Sequence, residues 1–330
     1  MSELLGKPKV LCLGTVAMDI VLETQMLPQN DGFALIESER LVPGGSSANV
    51  SVALTLMGAE VYQTGQIGDD NLGHVFQQDL ELNRVHTEFL SVKKGGTTLH
   101  TYIITAPMGQ HCIFANLGDS VNSLHPEDLP EHILDGMTCF YTDMFSPRAS
   151  LWLAKKARQK GIPVVYNMQC VPSFMAACGV SRAEIEDMLS QCTLFISGRD
   201  GYREMTGLED PIFAMKELRK SFRIEDGLIC TAGAEGAYWL KGEEIITQKS
   251  FAIEPVDTTG AGDCFTAGII FDFYCRQGFP EQALLFATGA AALKCLTKGP
   301  RSTANLAMIQ DFIEKNNGIC HPDFHFSLGR

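Results

Sequence analysis

Short apolar runs alternate along the chain with stretches of helical spacing. Val10 to Leu13 predicts a buried strand, and Ser47 to Met57 a helix that stops at Gly58. Val61 to Ile67 reads as a second strand. Leu151 to Lys160 reads as a helix stopped by Gly161, with a strand at Val164 to Tyr166 after it. Leu194 to Ile196 and Leu228 to Thr231 continue the strand series. Ala261 to Tyr274 and Gln282 to Leu296 read as two long, largely buried helices. Strands alternating with helices of this length predict an α/β fold, a mostly parallel sheet covered on both faces.

Two stretches break the rhythm. Residues 20–42 hold Pro28, Asn30, Asp31 and Gly32 between strand-like pieces. Residues 97–116 alternate in polarity, with a hairpin turn expected at Pro107-Met108-Gly109. The two are expected to pair into a small separate sheet. No linker marks a second large domain, so one domain is expected over residues 1–330.

Composition narrows the function classes. The chain has 330 residues, 45% of them hydrophobic, which is enough to bury a full core. The net charge of −13, with no basic stripe, argues against nucleic acid or an anionic membrane as partner. Phosphate ligands remain open, because backbone N–H groups and metal ions hold phosphates too. The 11 cysteines form no C-x-x-C pair, and a reducing cytoplasm is the expected location. The N-terminal apolar stretch is broken by Asp19 and does not read as a signal peptide. No apolar run is long enough to predict a membrane span. Cys320, His321 and His325 fall short of the four ligands a structural metal takes, and a polar tail is the plainer reading.

The common nucleotide signatures G-x-x-x-x-G-K-S/T and G-x-G-x-x-G after a strand are absent. Asp257-Thr258-Thr259-Gly260-Ala261-Gly262-Asp263 runs directly into an apolar helix. Small residues at 260–262 let backbone N–H groups converge at a helix N-terminus, where the helix dipole also favours negative charge. A carboxylate there, Asp263, is placed to take the proton of an attacking hydroxyl while the anion hole stabilises a transferring phosphoryl group. The plain alternative is a capping carboxylate on a glycine-rich turn. Pro43-Gly44-Gly45-Ser46-Ser47-Ala48-Asn49 lets backbone approach a ligand closely, and Asn49 can both donate and accept. Thr231-Ala232-Gly233-Ala234-Glu235-Gly236 follows a strand and has room for a flat base or ribose. Each of these two, taken alone, also reads as an ordinary turn.

In this order the segments resemble the ribokinase (phosphofructokinase-B) family of carbohydrate kinases. The stretch from Gly44 to Asn49, with Gly58-Ala59 and Gly65-Gln66-Ile67-Gly68-Asp69-Asp70, looks like the N-terminal signature. Asp257 to Asp263 with Phe265 and Gly268 looks like the C-terminal one. The resemblance runs from about residue 8 to about residue 316. It implies a roughly ten-strand α/β domain and a small β lid over the sugar, at about 20–42 and 97–116. It implies Asp263 as base, an anion hole from Gly260, Ala261 and Gly262 to Asp263, and substrate contacts at Asp19, Gly44, Gly45 and Asn49. Thr231, Gly233, Gly236, Thr288 and Gly299 fall on the implied ATP side. Asp257 and Thr259 match a monovalent-cation site, expected to take K⁺, and Mg²⁺ accompanies ATP. A homodimer through the lid is expected.

Two positions depart from the pattern. Counting back from Thr206-Gly207 puts Gly198 and Gly201 where the family shows N-x-x-E, a motif tied to Mg²⁺; Asp200 or Glu204 is a possible substitute. Before Ser146-Pro147 stands Phe145 rather than an acidic residue, with Asp143 two positions earlier as candidate for that substrate contact. Three functional readings stay open. The first is a kinase of a small sugar or sugar derivative. The second is a nucleoside kinase, with Phe33, Tyr102 or Ile104 stacking on a base; a phosphorylated substrate would instead call on Arg40, Lys93 or Lys94. The third is a non-catalytic relative that binds a ligand and regulates a partner.

Overall fold

The structure is a computed structural model, and it describes residues 6–107 and 110–316. Its elements are β1 (Lys9–Leu13), β2 (Ala17–Thr24), β3 (Ile36–Gly44), α1 (Ser46–Met57), β4 (Glu60–Gly68), α2 (Asn71–Leu82), β5 (Leu90–Lys93), β6 (His100–Thr105) and β7 (His111–Asn116). Then come β8 (Cys139–Thr142), α3 (Pro147–Gln159), β9 (Val164–Met168), α4 (Pro172–Ala177), α5 (Arg182–Gln191), β10 (Leu194–Gly198), α6 (Arg199–Thr206), α7 (Pro211–Ser221) and β11 (Gly227–Thr231). The chain finishes with β12 (Ala237–Lys241), β13 (Glu244–Gln248), α8 (Ala261–Ile269), α9 (Pro280–Cys295) and α10 (Leu306–Asn316).

Nine strands form the main sheet in the order β13-β12-β11-β10-β9-β8-β1-β4-β5. β1 pairs in parallel with β4 on one side and β8 on the other. Its apolar run follows from burial on both faces. Val10 and Cys12 face the core packed under α1, α8 and α9, while Leu11 and Leu13 face the core under α3, α5 and α7. Nine strands among the described residues agree with the roughly ten expected, and the far edge is an antiparallel hairpin, β12–β13. The helix expected to run to Tyr274 keeps α geometry only to Ile269, and Ile270–Cys275 is a wider π turn. α8 and α9 cross closely at Gly268, where a Cβ would stand 2.6 Å from the Ala287 Cα.

A second sheet of four strands, order β3-β2-β6-β7, holds both irregular stretches. β2 pairs antiparallel with β3 and parallel with β6, and it starts at Ala17, slightly before the expected boundary. β6 and β7 pair antiparallel from His100↔Asn116 to Thr105↔His111. Met108 and Gly109 of the expected turn lie outside the described residues, as does the Cys320, His321 and His325 cluster.

Candidate active site

Asp263 sits in the first turn of α8, where the N–H groups of the opening residues have no acceptor inside the helix. Gly260 caps the helix at φ +77, a left-handed conformation that suits glycine. The loop is tight: a Cβ on Gly260 would lie 1.8 Å from the Pro300 carbonyl oxygen. The Ala261 N–H turns back to the Thr258 carbonyl at 3.2 Å, so of the four expected anion-hole residues it is already engaged. Gly262 faces open space, with no atom from beyond its chain neighbours and its own helix backbone within 4 Å of a Cβ built there.

Asp263 is 6% exposed, and its carboxylate is held by side chains from two other parts of the chain. Asn49 Nδ2 donates to Oδ2 at 2.8 Å, Gln169 Nε2 donates to Oδ1 at 3.0 Å, and the Ser46 hydroxyl also donates to Oδ1. Burial pushes the Asp263 pKa above the ordinary carboxylate value, and the Ser46, Asn49 and Gln169 hydrogen bonds with the Lys294 charge pull part of it back. A base must be ionised to work, so activity should fall as pH drops through this raised pKa. Ser46→Ala removes a donor that favours the ionised form, so the acid limb of the kcat–pH profile should move to higher pH. A limb that stays in place in Ser46→Ala would show that the hydroxyl does not act through Asp263.

The substrate-side residues converge on the lid. The Thr101 hydroxyl donates to Asp19 Oδ1, and burial raises the Asp19 pKa. Gly44 leaves the space Asp19 uses, since a Cβ there would stand 2.7 Å from Asp19 Oδ2. Gly45 has φ +88, and its Cβ would meet the Thr15 carbonyl at 2.5 Å. Asn49 Oδ1 is buried with no hydrogen-bond partner among the described residues.

Asp143 is the expectation the structure revises. It is fully buried, and both its oxygens accept from the Thr15 N–H, at 2.9 and 3.1 Å, with Phe145 N–H adding a third bond at 3.2 Å. Burial pushes its pKa up to about 6. Its carboxylate holds the β1–β2 connection from beneath; it does not present itself to a substrate. Tyr102 and Ile104 are a second revision. In the strand register Tyr102 stands opposite Ile20 and Ile104 opposite Leu22, on the face away from Asp19, and Phe33 is 95% exposed. None of the three is placed to stack on a base bound at Asp19.

Thr231, Gly233, Gly236 and Thr288 line one cavity of about 350 Å³ that reaches Thr258, Ala261 and Gly262 at the start of α8. Gly299 is not part of its lining; its N–H donates to Asp257 Oδ2 at 2.8 Å. Beside this cavity Arg199 and Glu235 form a two-pronged ion pair.

The metal expectations fare differently. A Cβ at Gly201 would stand 2.2 Å from Ser197 Oγ and 2.7 Å from Met168 Cε, so a glutamate there would have to displace both side chains. Asp200, the possible substitute, pairs with Arg203 on the surface, and the Glu204 carboxylate accepts from the Ser173 N–H. The described residues hold no cluster of three or more His, Cys, Asp or Glu side chains that fits a metal ion. Gly198 and Gly201 therefore offer no carboxylate to the Mg²⁺ that accompanies ATP. At the monovalent site, Asp257 accepts from the Thr259 and Gly299 N–H groups, and its carbonyl accepts from the Lys294 ammonium at 2.9 Å. A metal ion does not fit beside that charge. Gln169 and Lys294 lie in none of the site motifs, and Ser46 lies inside the 43–49 motif without being marked there as a contact; the fold brings all three to the candidate site.

Residues 7–306 match the pfkB family carbohydrate kinase model. The ATP-dependent ribose-1-phosphate kinase of Halopiger xanaduensis is 27% identical, over 93% of this chain and 98% of its own length. Bacillus subtilis ribokinase is 26% identical, over 88% of this chain and 94% of its own. Among solved structures, Arabidopsis thaliana ribokinase complexed with ribose and ATP superposes with a TM-score of 0.80 at 20% identity, covering 94% of this chain and 99% of that one.

Proposed function

The chain belongs to the pfkB family of carbohydrate kinases, and on that premise we propose that it transfers the γ-phosphoryl group of ATP to a hydroxyl of a small sugar or sugar derivative. The observation that carries the reading is the place of Asp263. It stands at a helix N-terminus, with Asn49 of the substrate-side signature on one oxygen and the cavity opening onto the preceding glycine. In this reading Asp19 and Asn49 bind acceptor hydroxyls and Asp263 takes the proton of the attacking one. The N–H groups of Gly262 and Asp263 receive the charge that develops on the phosphoryl oxygens. ATP occupies the cavity of Thr231, Gly233, Gly236 and Thr288. Mg²⁺ would travel on the ATP phosphates. No helix among the described residues is long and apolar enough to cross a membrane.

A phosphorylated sugar is the second reading that an observation favours. Arg40 pairs with Val21 across β2–β3, on the same face of the lid as Asp19, and it is joined to Glu23. The name of the Halopiger relative is consistent with such a substrate. A panel of pentoses, hexoses, sugar 1-phosphates and nucleosides with ATP separates the readings. Turnover on a free sugar that Arg40→Ala leaves unchanged supports the first, and turnover confined to a sugar phosphate and lost in Arg40→Ala supports the second. Turnover confined to nucleosides would overturn both.

The outer face of the lid supports a homodimer. Leu41, Ile20, Tyr102 and Phe114 form one cross-strand row, of which Leu41, Tyr102 and Phe114 are strongly exposed. An apolar sheet face of this kind tends to find a partner. Sedimentation should give a dimer at micromolar protein and a monomer for Phe114→Asp. A wild-type monomer at that concentration would reject the assignment.

A further inference from the structure

We propose that Lys294 is the resident cation of the active site, its ammonium holding the anion-hole loop in the place where a monovalent metal ion would otherwise sit. The proposal rests on the kinase reading above. Lys294 lies near the end of α9 and is 1% exposed, in a helix whose other buried residues are almost all apolar or small. A buried ammonium is costly unless its N–H groups find acceptors. Here the acceptors are backbone carbonyls, those of Asp257 at 2.9 Å and Thr297 at 3.3 Å, and no carboxylate of the described residues lies within ion-pair distance. Neutral carbonyl oxygens gathered around a buried positive charge are the ligand set of a potassium-like ion, and an ammonium group has a similar size.

The two carbonyls belong to the two loops that shape the anion hole. Asp257 leads into Gly260, and Thr297 leads into Pro300, whose carbonyl packs against Gly260. The loops are also tied directly, by the Gly299 N–H on Asp257 Oδ2 and by the Val256 and Asp257 N–H groups on the Cys295 carbonyl. The negative end of the α9 dipole adds to the preference for positive charge. Lys294 also lends its charge to Asp263 and Asp257, favouring both carboxylates in ionised form. It touches no reacting group under the proposed mechanism and is a positioning residue.

The test uses the full-length protein in three arms. Wild-type kcat should be the same in K⁺, Na⁺ and tetramethylammonium buffers. Lys294→Ala, which opens an ammonium-sized space, should lose about a hundredfold in kcat through displacement of the loop. K⁺ or NH₄⁺ should restore much of it, and tetramethylammonium, too large for the space, should not. The melting temperature gives a readout free of activity: it should rise with K⁺ in Lys294→Ala and not in wild type. Wild-type activity that needs K⁺ would overturn the proposal, as would a Lys294→Ala variant that is fully active or that no small cation rescues. If the variant does not fold, the wild-type arm decides alone. A wild-type protein with no kinase activity would sink the functional reading instead, and the melting comparison would still judge Lys294.

Discussion

Asp263→Asn should lower kcat by at least about a hundredfold, since removing a general base costs about two to four orders of magnitude. The substitution keeps the size of the side chain and one carbonyl oxygen, so an acceptor for the Asn49 amide remains. What it loses is the charge and the ability to take a proton. The carboxylate is buried and carries three side-chain donors, so the variant places an amide NH₂ against donors that expect an oxygen. Some stability should be lost with it, and the melting temperature must be read beside the rate. KM for the acceptor should change far less than kcat, because Asp19 and Asn49 supply those contacts in the proposed site. A folded Asp263→Asn protein with near-normal kcat would remove Asp263 from the role of base.

Gly260→Ala should be comparably severe for a different reason. An alanine at φ +77 carries a left-handed backbone penalty of about 1–2 kcal/mol. Its Cβ also meets the Pro300 carbonyl oxygen at 1.8 Å, and backbone cannot yield as a flexible side chain does. The loop must move, and the N–H groups of the first turn of α8 move with it. Losing the alignment of one such donor typically costs about a hundredfold to a thousandfold in kcat. Gly262→Ala is the informative neighbour. Its Cβ meets no atom from beyond its chain neighbours and its own helix backbone within 4 Å, so the fold should be kept while the methyl group enters the cavity. There the expected change is a higher KM for ATP. If Gly260→Ala kept wild-type kcat, the first turn of α8 would not be the site of charge stabilisation.

The sequence showed the parts of this molecule that depend on one segment at a time. Strands β1, β4 and β8–β11 are buried on both faces, so most appear as plain apolar runs. β12 and β13 form an edge hairpin with mixed polarity and no such run, and they went unread. Apolar spacing predicts α8 longer than it is, because it does not distinguish an α turn from the π turn that follows Ile269. In the site, Asp263 and Asn49 were marked by glycine-rich motifs that constrain the local backbone. The distance of Asp143 from Ser146-Pro147 says nothing about which way its carboxylate points. It points at the Thr15 N–H. Ser46 and Gln169 meet Asp263 only through folding, across sequence separations of 217 and 94 residues. Lys294 leaves a signal, a lysine among the small and apolar residues of the second half of α9, but its acceptors belong to two loops that only the fold brings together.

The central claim is that this chain moves a phosphoryl group from ATP to an alcohol at the Asp263 site. Its most direct test measures ADP and phosphorylated acceptor together, for wild type and Asp263→Asn, over the panel of sugars, sugar phosphates and nucleosides. The account predicts one acceptor class that yields one phosphorylated product per ADP with wild type, and that yield nearly abolished in a folded Asp263→Asn. A folded wild-type protein that binds ATP and an acceptor yet forms no phosphorylated product from any of them would contradict it, and would mark the chain as a ligand-binding relative without catalysis.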